Sequence, residues 1–272
     1  MKQTIVFIFL LLISELSFGQ FEKLSGNWIS DKNEMISIQD SVKSNNYITN
    51  SKSRNDNFYL EILGDTISLQ SRYYTSEDDF EKMITDRYDF KILEITDSTF
   101  TAKPITKFSK NFFLTDTSIT FLNQNYITNP NFKLEKLVFR TSTCNGSCPV
   151  INLRITSDRD LDLNATYYKN SVYQKDKTKS GNFIAKLDEK TYRELRKLLI
   201  QAKIDTFDII PSPMELCCDG AVKTIITYHN GKRNYIKTMH EPRILRELIS
   251  YLYNLPEIVD LERTEREFIF EK

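Results

Sequence analysis

The 272-residue chain offers only two histidines, His229 and His240. No His-Glu-x-x-His pair, Gly-x-Ser-x-Gly elbow or glycine-rich phosphate loop accompanies them, so no activated nucleophile or metal announces a hydrolase. His229 directly precedes Asn230-Gly231 and reads as an exposed hairpin end, while His240 precedes Glu241-Pro242 at a helix start. Either would act as a general base only beside a thiol or hydroxyl. Net charge is lacking too: 37 basic residues balance 37 acidic ones, which gives no electrostatic reason to expect nucleic acid or an anionic membrane as partner. Glycine and proline are scarce at seven each, against 14 Tyr and 18 Phe, a composition that suits strands better than disorder.

Long apolar runs are missing as well. The longest, Ile5 to Ile13, falls well short of the roughly 20 residues of a membrane span. With Lys2 before it and Ser17-Phe18-Gly19 after it, it reads as a secretory signal over residues 1–19, cleaved before Gln20. No cysteine precedes Cys144, so no residue is there to carry a lipid anchor. The expectation is an exported protein, periplasmic or extracellular and soluble after cleavage.

The four cysteines form two clusters: Cys144-Asn145-Gly146-Ser147-Cys148-Pro149, and Cys217-Cys218 followed by Asp219-Gly220. An even count in an exported chain favours disulfides over redox or zinc roles. Three complete pairings are open. Cys144 with Cys148 closes a tight turn in which Gly146 supplies unusual backbone angles, and leaves a strained vicinal pair at Cys217-Cys218. The other two pairings join the clusters, a mixed arrangement with one long bridge and two free thiols is also open, and at least one long bridge is the favoured expectation. It would constrain the unfolded chain by roughly 4 kcal/mol. A redox site of the thioredoxin kind is excluded by the three-residue spacing, and zinc-ribbon spacing is absent. No metal and no cofactor is expected.

The segment after the signal opens with Leu24-Ser25-Gly26-Asn27-Trp28-Ile29, which holds the single tryptophan. Residues 58–63 and 66–69 flank a Gly64-Asp65 turn and read as a hairpin. Residues 88–95 and 99–102 flank Thr96-Asp97-Ser98, and residues 118–122 form a last strand. The Asn-, Ser- and Lys-rich stretch 41–57 reads as a loop, and the acidic stretch with Glu77, Asp78, Asp79 and Glu81 as a solvated face. The Gly-x-Trp entry and the short strands over residues 22–125 resemble lipocalin-like domains. That resemblance implies a small β-barrel with Trp28 plugging one end, and a small apolar ligand or a filled interior.

Asn129-Pro130-Asn131 marks a linker over residues 126–133, between a β-domain at 20–125 and a second domain at 134–272. In the second domain, strands are expected at 134–140, 150–155, 161–168 and 181–187. Asp188 caps a helix bearing Tyr192, Leu195, Leu198, Leu199 and Ala202 on one face. The Asn230-Gly231 turn joins two more strands, and Glu241-Pro242 starts a helix with Ile244, Leu245, Leu248, Leu252 and Leu255 on one side. Residues 264–270 are either an edge strand or loose. This order, with Cys144, Gly146, Cys148 and Pro149 in a Cys-x-Gly-x-Cys-Pro turn, resembles the bacterial domain-of-unknown-function family numbered 6438. The resemblance implies fold and compartment but no reaction. Two features depart from the family pattern: Ile151, where an aromatic is common, and the doubled Cys217-Cys218.

The expected fold class is α+β: an antiparallel lipocalin-like barrel followed by an antiparallel sheet with two helices. The expected role is non-catalytic, either binding a small apolar ligand or an envelope protein, or structural. The alternative is a thiol- or metal-dependent enzyme centred on Cys144, Cys148, Cys217 and Cys218.

Overall fold

A computed structural model describes residues 21–50, 54–169, 174–206 and 220–271. They fall into two compact units divided between Ile127 and Thr128.

The first unit is a closed antiparallel barrel of eight strands, β1 (Gly26–Ser30), β2 (Met35–Ile38), β3 (Asn46–Thr49), β4 (Arg54–Leu63), β5 (Thr66–Tyr74), β6 (Met83–Ile95), β7 (Thr99–Pro104) and β8 (Ile119–Asn123). Each strand pairs with its sequence neighbour, and β1 also pairs with β8 at Trp28↔Asn123, Ile29↔Leu122 and Ser30↔Phe121, so no edge is left. This closed barrel is consistent with the lipocalin-like resemblance of the segment. Residues facing inward fill it. Trp28, Phe58, Phe90, Phe100 and Phe121 are buried there with Ile36, Ile48, Ile67 and Leu69. Each such side chain contributes about 1.5–3 kcal/mol on burial. Trp28 meets Phe100 edge-on at 5.6 Å, and its indole N–H donates to the Leu24 carbonyl at 2.7 Å, so its one polar group is satisfied.

Two features of this unit differ from the sequence expectation. The polar stretch 41–57 is no single loop: β3 lies inside it, with Tyr47 and Ile48 buried. Barrel closure supplies the partners that local alternation does not reveal. A short helix, α1 (Lys107–Phe113), was not expected either. Thr106 and Ser109 form a reciprocal capping box at its start, and Leu114 ends it at φ 52°. It places Phe113 5.7 Å from Phe90 and 6.0 Å from Phe121. Glu77, Asp79 and Glu81 are exposed.

The second unit is a seven-stranded antiparallel sheet in the order β14-β13-β9-β10-β11-β12-β15. Its strands are β9 (Leu134–Thr141), β10 (Val150–Thr156), β11 (Asp160–Thr166), β12 (Gly181–Lys186), β13 (Lys223–His229), β14 (Lys232–Thr238) and β15 (Glu262–Thr264). Helices α2 (Glu189–Gln201) and α3 (Arg246–Ile258) complete it. Asp188 accepts from the Thr191 backbone N–H at 2.6 Å, the expected cap. Asn230 and Gly231 have φ 49° and 71°, so the hairpin turn is built from the two left-handed positions that Asn-Gly favours. Leu137, Phe139, Ile151, Leu153, Ile155, Leu161, Leu163 and Ile225 are buried on one sheet face, and Phe139 meets Tyr253 of α3 edge-on at 5.4 Å. The helices cover that face with Leu195, Leu199, Leu248 and Leu252. The architecture is α+β.

Candidate functional site: the cysteine turn and the open sheet face

Strand β9 ends at Thr141, and the chain turns through 142–149 to enter β10. Cys144 and Cys148 are joined in a disulfide with their Cα atoms 5.7 Å apart. Gly146, at φ 157°, donates its N–H to the Cys144 carbonyl at 2.9 Å and tightens the turn. Thr141 is buried beneath it; its hydroxyl donates to the Pro149 carbonyl at 3.1 Å and accepts from the Ile151 N–H at 2.8 Å. Asn145 is exposed at the tip.

This pairing corrects the expectation of a bridge between the two clusters, because both cysteines of the first are taken. The five-residue turn already brings their Cα atoms within ordinary disulfide span. Cys217, Cys218 and Asp219 lie outside the described residues. Gly220 is described, and a side chain there would press on the Met239 side chain, whose Cγ lies 2.9 Å from an ideal Cβ. Nearby, the Lys223 ammonium donates to Glu241 at 2.6 Å and to the Met239 carbonyl at 2.8 Å. Burial pushes the Glu241 carboxyl up, but the Lys223 hydrogen bond and charge outweigh it and hold the pKa below the usual glutamate range.

The histidines do not join this turn into a reactive constellation. His229 is 3% exposed rather than exposed as its place before a hairpin turn suggests. Residues 131–133 fold over the hairpin end: Asn230 donates to the Asn131 carbonyl and accepts from the Lys133 N–H, both at 2.7 Å. Phe132 then stacks on His229 at 5.1 Å, and the ring nitrogen Nε2 meets Asn234 Oδ1 at 2.8 Å. His240 is exposed. Among the described residues, no group of three or more His, Cys, Asp or Glu side chains is placed to hold a metal ion.

The sheet face opposite the helices carries a different set of groups. Register aligns Asn152 with Arg140 and Asn164, Arg154 with Val138 and Asp162, and Asn164 with Asn182. Arg154 pairs with Asp162, the Arg140 Nε–H donates to Asn152 at 3.2 Å, and Asn164 donates to Asn182 at 2.6 Å. A groove of about 850 Å³ lies on this side, lined in part by Arg154, Asp162, Ile184, Lys186, Glu262 and Arg266. Its volume falls within the range of ordinary small-molecule sites, roughly 300–1,000 Å³.

Beyond β15, residues 265–271 run back over this face. Glu271 reaches four anchors. Its carboxylate accepts from the Tyr228 hydroxyl at 2.7 Å, Arg233 Nε–H at 3.1 Å and Lys136 at 3.2 Å, and its carbonyl accepts from Arg140 at 3.1 Å. The Tyr228 hydrogen bond, followed by those from Lys136 and Arg233, holds the Glu271 carboxyl below its ordinary value. Val138 and Ile226, on the same face between these anchors, are buried. None of this cluster was singled out from the sequence. The available signal was the alternation of Lys136 and Arg140 with Leu137 and Phe139, which the apolar Val138 interrupts.

The barrel interior is occupied by the aromatic cluster, and a pocket of about 220 Å³ at one mouth is lined by Lys23, Leu24, Gly64, Asp65, Ile92 and Ile95.

Residues 135–256 match a family model described as Domain of unknown function (DUF6438). No curated protein and no solved structure matches the chain. No described helix is long and apolar enough to cross a membrane.

Proposed function

Taking the match of residues 135–256 to a domain of unknown function as premise, we propose that this is an exported, non-catalytic binding protein whose recognition surface is the open sheet face of its second domain. In this reading residues 1–19 are a signal cleaved before Gln20, residues 20–125 a self-filled barrel, 126–133 a linker and 134–272 the binding domain, which acts on another envelope component. The observation that carries it is the one-sided cover of the sheet: helices pack the apolar face, while the face bearing Arg140, Arg154, Asp162 and Asn164 holds a groove of about 850 Å³. The buried aromatic side chains that occupy the barrel interior argue against the barrel as the binding element. The Cys144–Cys148 disulfide supports an oxidising compartment and removes two of the four thiols that a thiol enzyme would need.

The test is intact mass of the protein produced with its leader, run with and without reduction and under metal-retaining conditions, then peptide mapping. The reading expects loss of residues 1–19, Cys144–Cys148 oxidised, and no bound metal. Reactive free thiols at Cys217 or Cys218, or retained zinc, would overturn it in favour of the thiol- or metal-dependent enzyme.

A further inference from the structure

This inference rests on the binding reading and concerns residues 265–271, which cross the open face. Three cations, Lys136, Arg140 and Arg233, converge with the Tyr228 hydroxyl on one residue, Glu271. The Lys136 ammonium also sits over the Tyr228 ring at 4.0 Å. The carboxylate pairs with Lys136 and Arg233, while Arg140 meets only the Glu271 carbonyl, so three cations are served by one negative charge. The segment that delivers it has a simple chemistry: Glu267-Phe268-Ile269-Phe270-Glu271, with half-buried Phe268 and Phe270 6.0 Å apart and Ile269 exposed. Beyond the three ladder residues of β15, residues 265–271 form no strand; their described hydrogen bonds are those of Glu271 and one from the Arg266 N–H to the Thr264 hydroxyl. A segment attached this way leaves without breaking a sheet ladder.

We propose that the Lys136, Arg140, Tyr228 and Arg233 cluster is a recognition site for an extended acidic-aromatic peptide of a partner protein, and that residues 265–271 occupy it as an internal strap that such a peptide displaces. Alternate aromatic side chains enter over Val138 and Ile226, while an acidic side chain takes the place of Glu271. The neighbouring groove along Arg154, Asp162 and Lys186 accommodates the rest of the peptide. Charged hydrogen bonds of this kind give such a site selectivity for carboxylate over neutral or basic side chains.

The probe is a fluorescein-labelled pentapeptide, Glu-Phe-Ile-Phe-Glu, followed by anisotropy against the full chain. The variant Phe268→Ala/Phe270→Ala/Glu271→Ala should bind it at least tenfold more tightly than the unaltered protein. Adding Lys136→Glu and Arg233→Glu should abolish that gain, and a Lys-Phe-Ile-Phe-Lys peptide should bind at least tenfold more weakly. Equal binding by the released and unaltered proteins, or equal binding of the two peptides, overturns the proposal. A second measurement does not depend on the variant folding. Trypsin cleavage after Arg266 in the unaltered protein should accelerate at least threefold when unlabelled Glu-Phe-Ile-Phe-Glu is in excess, and an unchanged rate contradicts displacement. Failure of these tests in a disulfide-bonded, metal-free protein sinks the strap alone. Free thiols or bound zinc would sink the binding reading whatever the peptide does.

Discussion

In the barrel every strand has two neighbours, because β1 pairs with both β2 and β8, whereas the seven-stranded sheet ends at β14 and β15. The same difference holds for the faces. The barrel turns its apolar side chains toward one another and fills the interior with Trp28 and a ring of phenylalanines. The sheet buries one face beneath α2 and α3 and leaves the other to charged and amide side chains with a short strap across part of it. A closed barrel has few unsatisfied groups to offer a partner; an open sheet face retains donors, acceptors and charge. The proposed binding reading therefore places recognition chemistry in the second unit, although the first has the more familiar ligand-binding architecture.

The contrast predicts unequal responses to substitution. The largest belongs to the barrel interior. Phe90→Ala removes a fully buried ring in contact with Phe113, and should cost about 3–5 kcal/mol. Urea unfolding followed by the fluorescence of Trp28, the only tryptophan, measures it within the barrel. A much smaller loss would mean that the interior has room to collapse or to hold a ligand. Next comes the cysteine turn. Replacing Cys144 and Cys148 with serine opens a loop of sequence separation 4 and should cost about 2 kcal/mol in the chain-entropy estimate. Unfolding midpoints of the oxidised protein and the double variant give that figure. Thr106→Ala removes the cap of α1 and should cost about 1 kcal/mol, read by the same Trp28 signal.

The smallest global effect is expected at the strap. Glu271→Gln should change overall stability by less than about 1 kcal/mol, because its ion pairs are partly exposed. It should nevertheless loosen residues 265–271. The carboxyl sits below the ordinary glutamate value of 4.5, so its contribution is complete above that value and is lost as pH falls through the lower folded-state value. The aromatic ring signals of Phe268 and Phe270 should therefore move toward their free positions on acidification below pH 4.5. A strap that stays docked through that range would show that the aromatic contacts, not Glu271, hold it.

The readability of the chain varies with how local the deciding contacts are. The Gly64-Asp65 and Asn230-Gly231 turns, the alternation of β10 and β11, and the Asp188 cap all act within a few residues, and each was legible. The α+β class follows from them. The β3 strand was hidden because Tyr47 and Ile48 sit among polar residues and become buried only when the barrel closes. Helix α1 is too short for helical periodicity to register in Lys107–Phe113. His229 misled because the residues that bury it, Phe132 and Asn131, belong to a segment that reads as linker. The disulfide partner was one of several open pairings, and only the turn geometry selects Cys148 for Cys144. The cluster at Glu271 was the least legible: its contact with Lys136 joins residues 135 positions apart.

The most direct test of the proposed binding face is a proton–nitrogen correlation spectrum of the strap-released chain, Phe268→Ala/Phe270→Ala/Glu271→Ala, titrated with the Glu-Phe-Ile-Phe-Glu peptide. The indole N–H of Trp28 reports the barrel, and the Nε–H groups of Arg140 and Arg233 report the open sheet face. The account predicts that the two arginine signals shift with peptide while the Trp28 signal stays fixed. A shifting Trp28 signal with stationary arginines would contradict it and return the binding site to the barrel.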